Sequence, residues 1–408
     1  MKYDAIIIGG GASGLMAAIT ASGLGKKVLL FEKNDRLGKK LLITGKGRCN
    51  VTNNCSVDEL IKNIPSNPRF LYSAFSQFSS EDTMNFFENI GVPLKTERGN
   101  RVFPQSDKSS DIVNSLIKTA KDYGVEILNK KVSSLIIKDN TILGIEISGE
   151  KYYSDSVLIA TGGKSYHLTG STGDGYIFAE KAGHKIIPLK PSLVPIVTKE
   201  KYPTEMMGLS LKNVNLSVVD KTTGKKIYSE MGEMLFTHFG VSGPIVLSAS
   251  SRIRTEEAER YIFYIDMKPA LSEEKLDLRL QKDFSENINK DYINSLNKLL
   301  PTKMIPVFVK LSGIPMDTKV NQITREQRRN IVKLMKNMPF TMKSFRPIDE
   351  AIITSGGVDT NEINPKTMES KLVKGLYFAG EVIDVDAYTG GFNLQIAFST
   401  GYVAGINM

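Results

Sequence analysis

The sequence predicts an α/β fold, and three observations carry that prediction across its 408 residues. A strand–glycine turn–helix–strand unit opens the chain, strand and glycine patterns return after Arg346, and an insert of different character separates the two. Residues 4–8, DAIII, form a β-branched apolar run; GGGASG follows, then LMAAITASGLG with helical spacing, then KKVLLFE as a second strand. Gly9, Gly11 and Gly14 spell G-x-G-x-x-G across the turn, with Ala12 and Ser13 between the last two. The first glycine permits the tight turn, the second lets the backbone approach a pyrophosphate, and the third lets helix pack closely on strand. The helix start then offers free N–H groups and partial positive charge to phosphates. Glu32 ends the second strand, where a carboxylate accepts hydrogen bonds from ribose hydroxyls. Glycines, flanking elements and acid together define a Rossmann-like dinucleotide-binding unit. The acid favours an unphosphorylated adenosine ribose, as in FAD or NAD.

Further along, KSSDIVNSLIKTAKDYGVEIL (108–128) reads as an amphipathic helix capped by Asp111 and ended by Gly124, then a strand. KVSSLIIKDNTILGIEIS and EKYYSDSVLIATGG supply more strands, with a turn at Asp139-Asn140. From about residue 190 short strand-like runs appear (KPSLVPIV, LSLKNVNLSVVD, KKIYSEMGEMLFTHFG, RYIFYIDM), with DKTTGK as a hairpin loop. They indicate a small antiparallel barrel or sheet. Residues 271–340 are polar and helical. The expected organisation is a nucleotide-binding domain from 1–190 and 346–408, a β-barrel-like domain from 191–270 and 336–345, and a small helical domain over 271–335.

Composition is that of a globular protein: 41% hydrophobic and 24% charged. No apolar run approaches the roughly eighteen residues that span a bilayer, so no membrane partner is expected. Asp4 and the glycine cluster argue against a secretory leader. Cys49 and Cys55 match neither a zinc pattern nor a disulfide framework, which points to no metal site and to a reducing cytoplasm. The net charge of +9 suits nucleic acid, an anionic cofactor or an anionic substrate equally.

The far end of the chain decides between FAD and NAD. GLYFAGEVID (375–384) is an apolar strand ending in Gly-Glu, and TGGFNLQIAFSTG (389–401) is a glycine turn feeding a helix. A second ligand contact so far from the first suits a long dinucleotide, hence FAD. The N-terminal unit, LIATGG (158–163) and LYFAGEV resemble the two-dinucleotide-motif flavoproteins. More narrowly, RLGKKLLITGKGRCNVTN (36–53), GSTGDGY (170–176), LFTHFGVSGP (235–244), TSGGV (354–358) and GEVIDVDAYTGGFNLQIAFSTG (380–401) resemble the BaiN-like, or YhiN-like, bacterial flavoproteins over essentially the whole chain. Position 46 departs from that pattern: it is Lys where a small or neutral residue is expected.

The resemblance implies three domains (FAD-binding, β-barrel-like and small helical), with the insert covering the substrate side of the flavin. It implies non-covalent FAD and places the segment after Glu32 along the cofactor. Arg36, Lys39, Lys40, Lys46 and Arg48 are then expected to neutralise its pyrophosphate and hold an anionic substrate group, with Lys33, Gly38 and Asn50 beside them. The backbone at Val132 is expected to meet adenine. Thr161, Gly162 and Gly163 should approach the cofactor closely, as should Gly380, Glu381, Asp384, Gly391, Asn393, Leu394 and Gln395. Gly173 and Gly175 either contact flavin or simply start a helix at Asp174. Cys49 is read as structural, as is His184; His167, His238, Tyr388 and Arg346 are candidates for the catalytic machinery.

The family includes an aminoacetone oxidase and a reductase of unsaturated 3-oxo bile-acid intermediates. The expectation is thus an FAD-dependent oxidoreductase transferring hydride at flavin N5 to or from a small organic or steroid-like substrate. NAD(P)H would serve as a transient donor, since the chain has one G-x-G-x-x-G. Two readings from other classes stand beside it: an FAD protein acting on nucleic acid, such as a tRNA-modifying enzyme, and a non-catalytic flavin binder. The first would need a basic patch interleaved with aromatics, and TREQRRNIVKLMK has none, so no nucleic-acid partner is expected. The second would not need so large an insert.

Overall fold

At the centre of the first unit lies a five-stranded parallel sheet, ordered Leu376–Phe378, Val157–Ile159, Ala5–Ile8, Val28–Phe31, Glu126–Leu128. Its four apolar strands are buried along their whole length, as parallel strands covered on both faces must be. The chain runs outward from Ala5–Ile8 through Val28–Phe31 to Glu126–Leu128, then crosses to Val157–Ile159 and Leu376–Phe378. The order therefore reverses between Ala5–Ile8 and Val157–Ile159, where open α/β sheets place their ligands. This computed structural model describes residues 2–253 and 257–408. The chain divides into two units, Met1–Ser192 with Ile348–Met408, and Leu193–Pro347.

In the first unit, helix Ala12–Gly23 crosses the C-terminal helix Phe392–Asn407 at close range. A β-carbon on Gly405 would stand 2.7 Å from the Ala17 carbonyl oxygen, and one on Gly401 would strike that of Ser13. A second sheet runs Lys2–Tyr3, Glu150–Ser154, Thr141–Ile147, Ser134–Lys138. Its last two strands turn at Asp139-Asn140, both left-handed with φ +49° and +53°, as the dipeptide predicts. Helix Ser109–Asp122 ends before Gly124 as expected, but Asp111 does not cap it: it lies in the first turn, and Lys108 holds the cap position without a side-chain bond. Residues 52–104 add helices Val57–Lys62, Pro68–Gln77 and Ser80–Asn89 and a three-stranded sheet, none of them assigned from the sequence.

The second unit is built on a closed six-stranded barrel, ordered Ile196–Thr198, Gly240–Ser242, Lys226–Phe236, Ser210–Asp220, Tyr261–Asp266, Met338–Phe345. The DKTTGK loop joins Ser210–Asp220 to Lys226–Phe236 as a hairpin. Helices Glu273–Ser285, Ile305–Ser312 and Arg325–Lys336 are inserted before the last strand. Ser272 and Thr324 cap the first and third of these. Leu276, Phe308, Ile331 and Met335 share one core with Phe263 and Phe340 of the barrel. Among the described residues, no helix is long and apolar enough to cross a membrane.

His184 is structural, as the sequence suggests. Its side chain is buried, Nε2 lies 2.8 Å from Ser370 Oγ, Nδ1 lies 3.2 Å from Glu362, and its ring meets Phe378 edge-on. Burial holds its pKa below the ordinary 6.5, although Glu362 pulls the other way. The unfolded chain takes up a proton near that value while the folded one resists, so stability present above 6.5 drains away as pH falls toward the depressed folded pKa. The thermal midpoint is expected to drop from pH 7 to pH 5, and His184→Gln to flatten that drop. A midpoint that falls equally in both proteins refutes the assignment.

Candidate functional site

A cavity of about 510 Å³ opens at the carboxyl ends of Ala5–Ile8, Val28–Phe31 and Val157–Ile159. The glycine turn forms its floor. Gly9 has φ +112° and leaves no room for a side chain against the Ala160 carbonyl; a β-carbon on Gly14 would strike the Gly9 carbonyl. Gly11, Ala12 and Ser13 line the cavity at a helix start that has neither a side-chain cap nor an acid in its first turn. Its first N–H groups are therefore unmet within the helix. Gly14 packs beneath and does not line the cavity, which is the role the motif assigns to it.

Glu32 is 8% exposed and faces the cavity. Its Oε2 accepts from the Gly10 N–H at 2.9 Å, and its Oε1 accepts from the Asn34 N–H at 2.9 Å and from Asn34 Nδ2 at 2.7 Å. Three donors fix the carboxylate at the strand end. Val132 lines the cavity from the loop before Ser134–Lys138 rather than from the strand itself. Thr161 and Gly162 line it too, and Thr161 Oγ1 is buried without a hydrogen-bond partner among the described residues. Such a hydroxyl awaits a polar ligand atom. Uncapped helix start, fixed acid and orphaned hydroxyl fit a dinucleotide.

Lys33, Gly38, Lys39, Lys40, Lys46, Glu381, Asn393 and Leu394 complete the predicted residues that the cavity brings together. The lysines are less available than the sequence suggested. Lys33 binds Asp174 at 2.7 Å, Lys39 binds Asp35 at 2.7 Å, and Lys40 binds Glu381 at 2.6 Å and Ser165 Oγ at 2.8 Å. Glu381 Oε1 also accepts from the Thr354 N–H at 2.8 Å and from Ser165 Oγ at 2.9 Å. Arg48 does not reach the cavity: its guanidinium pairs with Glu97 and Asp107 and lies over the Phe103 ring. Arg36 is exposed outside the cavity. Five free cations along the cofactor are thus not what the fold provides: Glu381 claims Lys40, Glu97 and Asp107 claim Arg48, the neighbouring Asp35 claims Lys39, and Arg36 lies outside the cavity.

Other predicted residues serve as support. Gly163 gives way to the Thr354 hydroxyl and the Glu381 carboxylate, Gly380 to Ser13, and Gly391 to the Thr52 backbone. Asp384 accepts from Asn67 Nδ2 at 2.9 Å, and burial raises its pKa. Asn50 Oδ1 is buried without a partner among the described residues, and Asn50 is not among the residues that line the cavity. Gln395 is fully buried: its N–H donates to the Gly391 carbonyl and its Nε2 to the Phe78 carbonyl, while its Oε1 accepts from Thr52. It cannot present its N–H to a cofactor. Gly175 packs against Thr161, and helix Asp174–Lys181 starts behind Gly173, which holds the cap position without a side-chain bond; Asp174 lines the cavity, whereas Gly173 and Gly175 are not among its lining residues. Cys49 is buried and its thiol is pushed up to about 12, which suits a structural role.

None of the four catalytic candidates lines this cavity. His167 sits 3.2 Å from Asp349 on an exposed turn, and Tyr388 is buried. In the second unit, His238 meets the Phe239 ring edge-on and the Arg346 guanidinium lies over the same ring at 4.5 Å. The sequence reading missed Tyr166, Ser171, Lys130 and Lys131, which do line the cavity. Tyr166 lies next to the TGGK turn, and its left-handed backbone (φ +53°) is the signal that pattern alone does not carry.

The fold and cavity are those of a flavin-dependent oxidoreductase of the Rossmann type, and comparison with known proteins agrees. The family described as HI0933-like protein Rossmann domain matches residues 3–407. The 3-dehydro-bile acid delta(4,6)-reductase of Clostridium scindens is 31% identical, covering 98% of this chain and 97% of its own. The ribosomal RNA dihydrouridine synthase of Haemophilus influenzae is 31% identical, covering 99% of this chain and 98% of its own. Among solved structures, the 3-ketosteroid-delta4-(5alpha)-dehydrogenase of Rhodococcus jostii RHA1 shares the fold with a TM-score of 0.53 at 14% identity, covering 100% of this chain and 96% of its own. The chain belongs to the HI0933-like family.

Glu32→Ala is expected to weaken FAD binding at least tenfold, through loss of charge-assisted hydrogen bonds of about 1.5–3 kcal/mol. Fluorescence titration of the apoprotein with FAD and FMN measures it; an unchanged FAD affinity would remove Glu32 from the site.

Proposed function

We propose that the protein uses non-covalent FAD to reduce a carbon–carbon double bond conjugated with a carbonyl, adding hydride at the β carbon and a proton at the α carbon. The observation that carries this reading is the single cavity in which the G-x-G-x-x-G helix start, Glu32, the unpartnered Thr161 hydroxyl and the start of helix Phe392–Asn407 meet. Glu32 would take the ribose hydroxyls, the Ala12–Ser13 helix start the pyrophosphate, and the Leu394 N–H the electron-rich edge of the flavin pyrimidine. When bound, FAD supplies the hydride at N5. The chain's own part is to orient and shield: Val132, Phe178, Ile352 and Ile353 give the cavity its apolar walls. The name of the Clostridium relative supports a conjugated steroid-like enone as substrate. NAD(P)H would be a visiting donor. Both cysteines are free thiols, which suits a reducing compartment such as the cytoplasm.

A second reading rests on the name of the Haemophilus relative and on the net charge of +9: the double bond is C5=C6 of a uracil in RNA. That bond is conjugated with the C4 carbonyl, so the chemistry is the same and only the recognition differs.

Anaerobic stopped-flow mixing separates these. Dithionite-reduced holoenzyme is expected to re-oxidise when mixed with a 3-oxo-4-ene steroid acid; re-oxidation only by uridine-containing ribosomal RNA would favour the second reading, and by neither would defeat the proposal. NADH and NADPH are expected to reduce the flavin without saturating at low micromolar concentration.

A further inference from the structure

We infer that Lys46 is the anchor for an oxyanion, a carboxylate or a phosphate, carried by the substrate at the mouth of the cavity; the inference rests on the reductase reading above. Six lysines line the cavity: Lys33, Lys39, Lys40, Lys46, Lys130 and Lys131. Five face carboxylates of this chain. Lys33, Lys39 and Lys40 hold Asp174, Asp35 and Glu381, Lys130 holds Glu150 at 3.0 Å, and Lys131 stands 3.9 Å from Asp174. Lys46 alone has no ion-pair or hydrogen-bond partner for its ammonium among the described residues. It is exposed while lining the cavity, which puts it at the opening rather than in the depth where helix Ala12–Gly23 starts.

The backbone at this position is a second, independent observation. Gly45, Lys46 and Gly47 are successive left-handed residues, with φ of +57°, +59° and +85°. Glycine adopts that conformation freely; a lysine there is strained by its β-carbon. Lys46 thus carries a side chain on the rim of the cavity at a position where glycine would sit without strain. Ile43, 47% exposed, lines the same rim. An apolar surface beside one uncommitted ammonium suits a ligand with an apolar body and one negative group.

The test titrates the oxidised holoenzyme, following flavin absorbance, with two matched pairs: 3-oxochol-4-en-24-oic acid against its methyl ester, and uridine 5′-monophosphate against uridine. In one pair the charged member is expected to bind about tenfold more tightly than its neutral partner in the unaltered protein and in Lys46→Arg. Lys46→Gly is expected to abolish that advantage while neutral-ligand affinity and FAD content stay unchanged. It relieves the left-handed strain, so it should fold at least as well, which its Tm reports. The pair that responds identifies the oxyanion as carboxylate or phosphate. Equal binding within both pairs, no binding by any of the four, or an advantage that survives in Lys46→Gly overturns the inference. Loss of FAD from Lys46→Gly would assign the residue to the cofactor pyrophosphate and overturns it too. Because no turnover is involved, failure here leaves the reduction reading to its own re-oxidation test.

Discussion

The close crossing of helix Ala12–Gly23 and the C-terminal helix Phe392–Asn407 is the contact on which the rest of the first unit depends. It joins the two ends of the chain, and it works because Gly401 and Gly405 present bare backbone to Ser13 and Ala17. Overpacking such a seam by even one methyl group displaces backbone rather than side chain. The seam continues upward through small groups: Gly380 clears Ser13, and its N–H donates to Thr400 Oγ1 at 2.9 Å. Both helices start at the same cavity, and this seam fixes the one relative to the other.

A buried polar network extends the lock to the loop that reads GKGRCNVTNN. Thr52 donates to Gln395 Oε1 at 2.5 Å, Gln395 Nε2 reaches Ser399 Oγ at 2.9 Å, and Ser399 donates to the Phe78 carbonyl at 2.6 Å. Each of these side chains is buried. A fully satisfied network in a low dielectric specifies one arrangement, because any shift leaves a polar group unpaired. Asn53 adds a bridge from its Nδ2 to the Gly390 carbonyl at 3.0 Å. The loop is thus half wall and half anchor: residues 44–46 line the cavity, while Arg48, Cys49, Thr52 and Asn53 hold the segment in place.

What the sequence reveals follows this division. The glycine turn, Glu32 and the strand ends are legible because they act through local geometry: a turn, a helix start, the last residue of a strand. The hairpins at Asp139-Asn140 and at DKTTGK are legible for the same reason. The Gln395 N–H is taken locally, by the Gly391 carbonyl one helical turn back. The side chains of Arg48 and Gln395 are misread because their partners lie far away in sequence. Glu97 and Asp107 for the one, and Phe78 and Thr52 for the other, are brought near only by the fold. Helices Val57–Lys62 and Ser80–Asn89 carry a local signal that could have found them, a serine capping Glu59 and Asp82 three residues on.

The pairing of cations with the chain's own acids changes where anion recognition resides. Lysines committed to Asp174, Asp35 and Glu381 contribute little net field, since each charge is met by its opposite within hydrogen-bond distance. Apart from the Lys46 ammonium at the rim, what remains unmet are backbone donors. Helix Ala12–Gly23 and helix Phe392–Asn407 both start on the cavity with a glycine cap, no side-chain cap and no acid in the first turn. A capping aspartate would have satisfied those N–H groups and cancelled the helix dipole. Its absence at both starts leaves two fixed, partly positive ends that need no reorganisation when negative charge arrives. On the proposed reading one end meets the pyrophosphate, whose charge is permanent. The other meets the flavin pyrimidine, whose charge exists only after reduction, so the second helix start favours the reduced cofactor over the oxidised one.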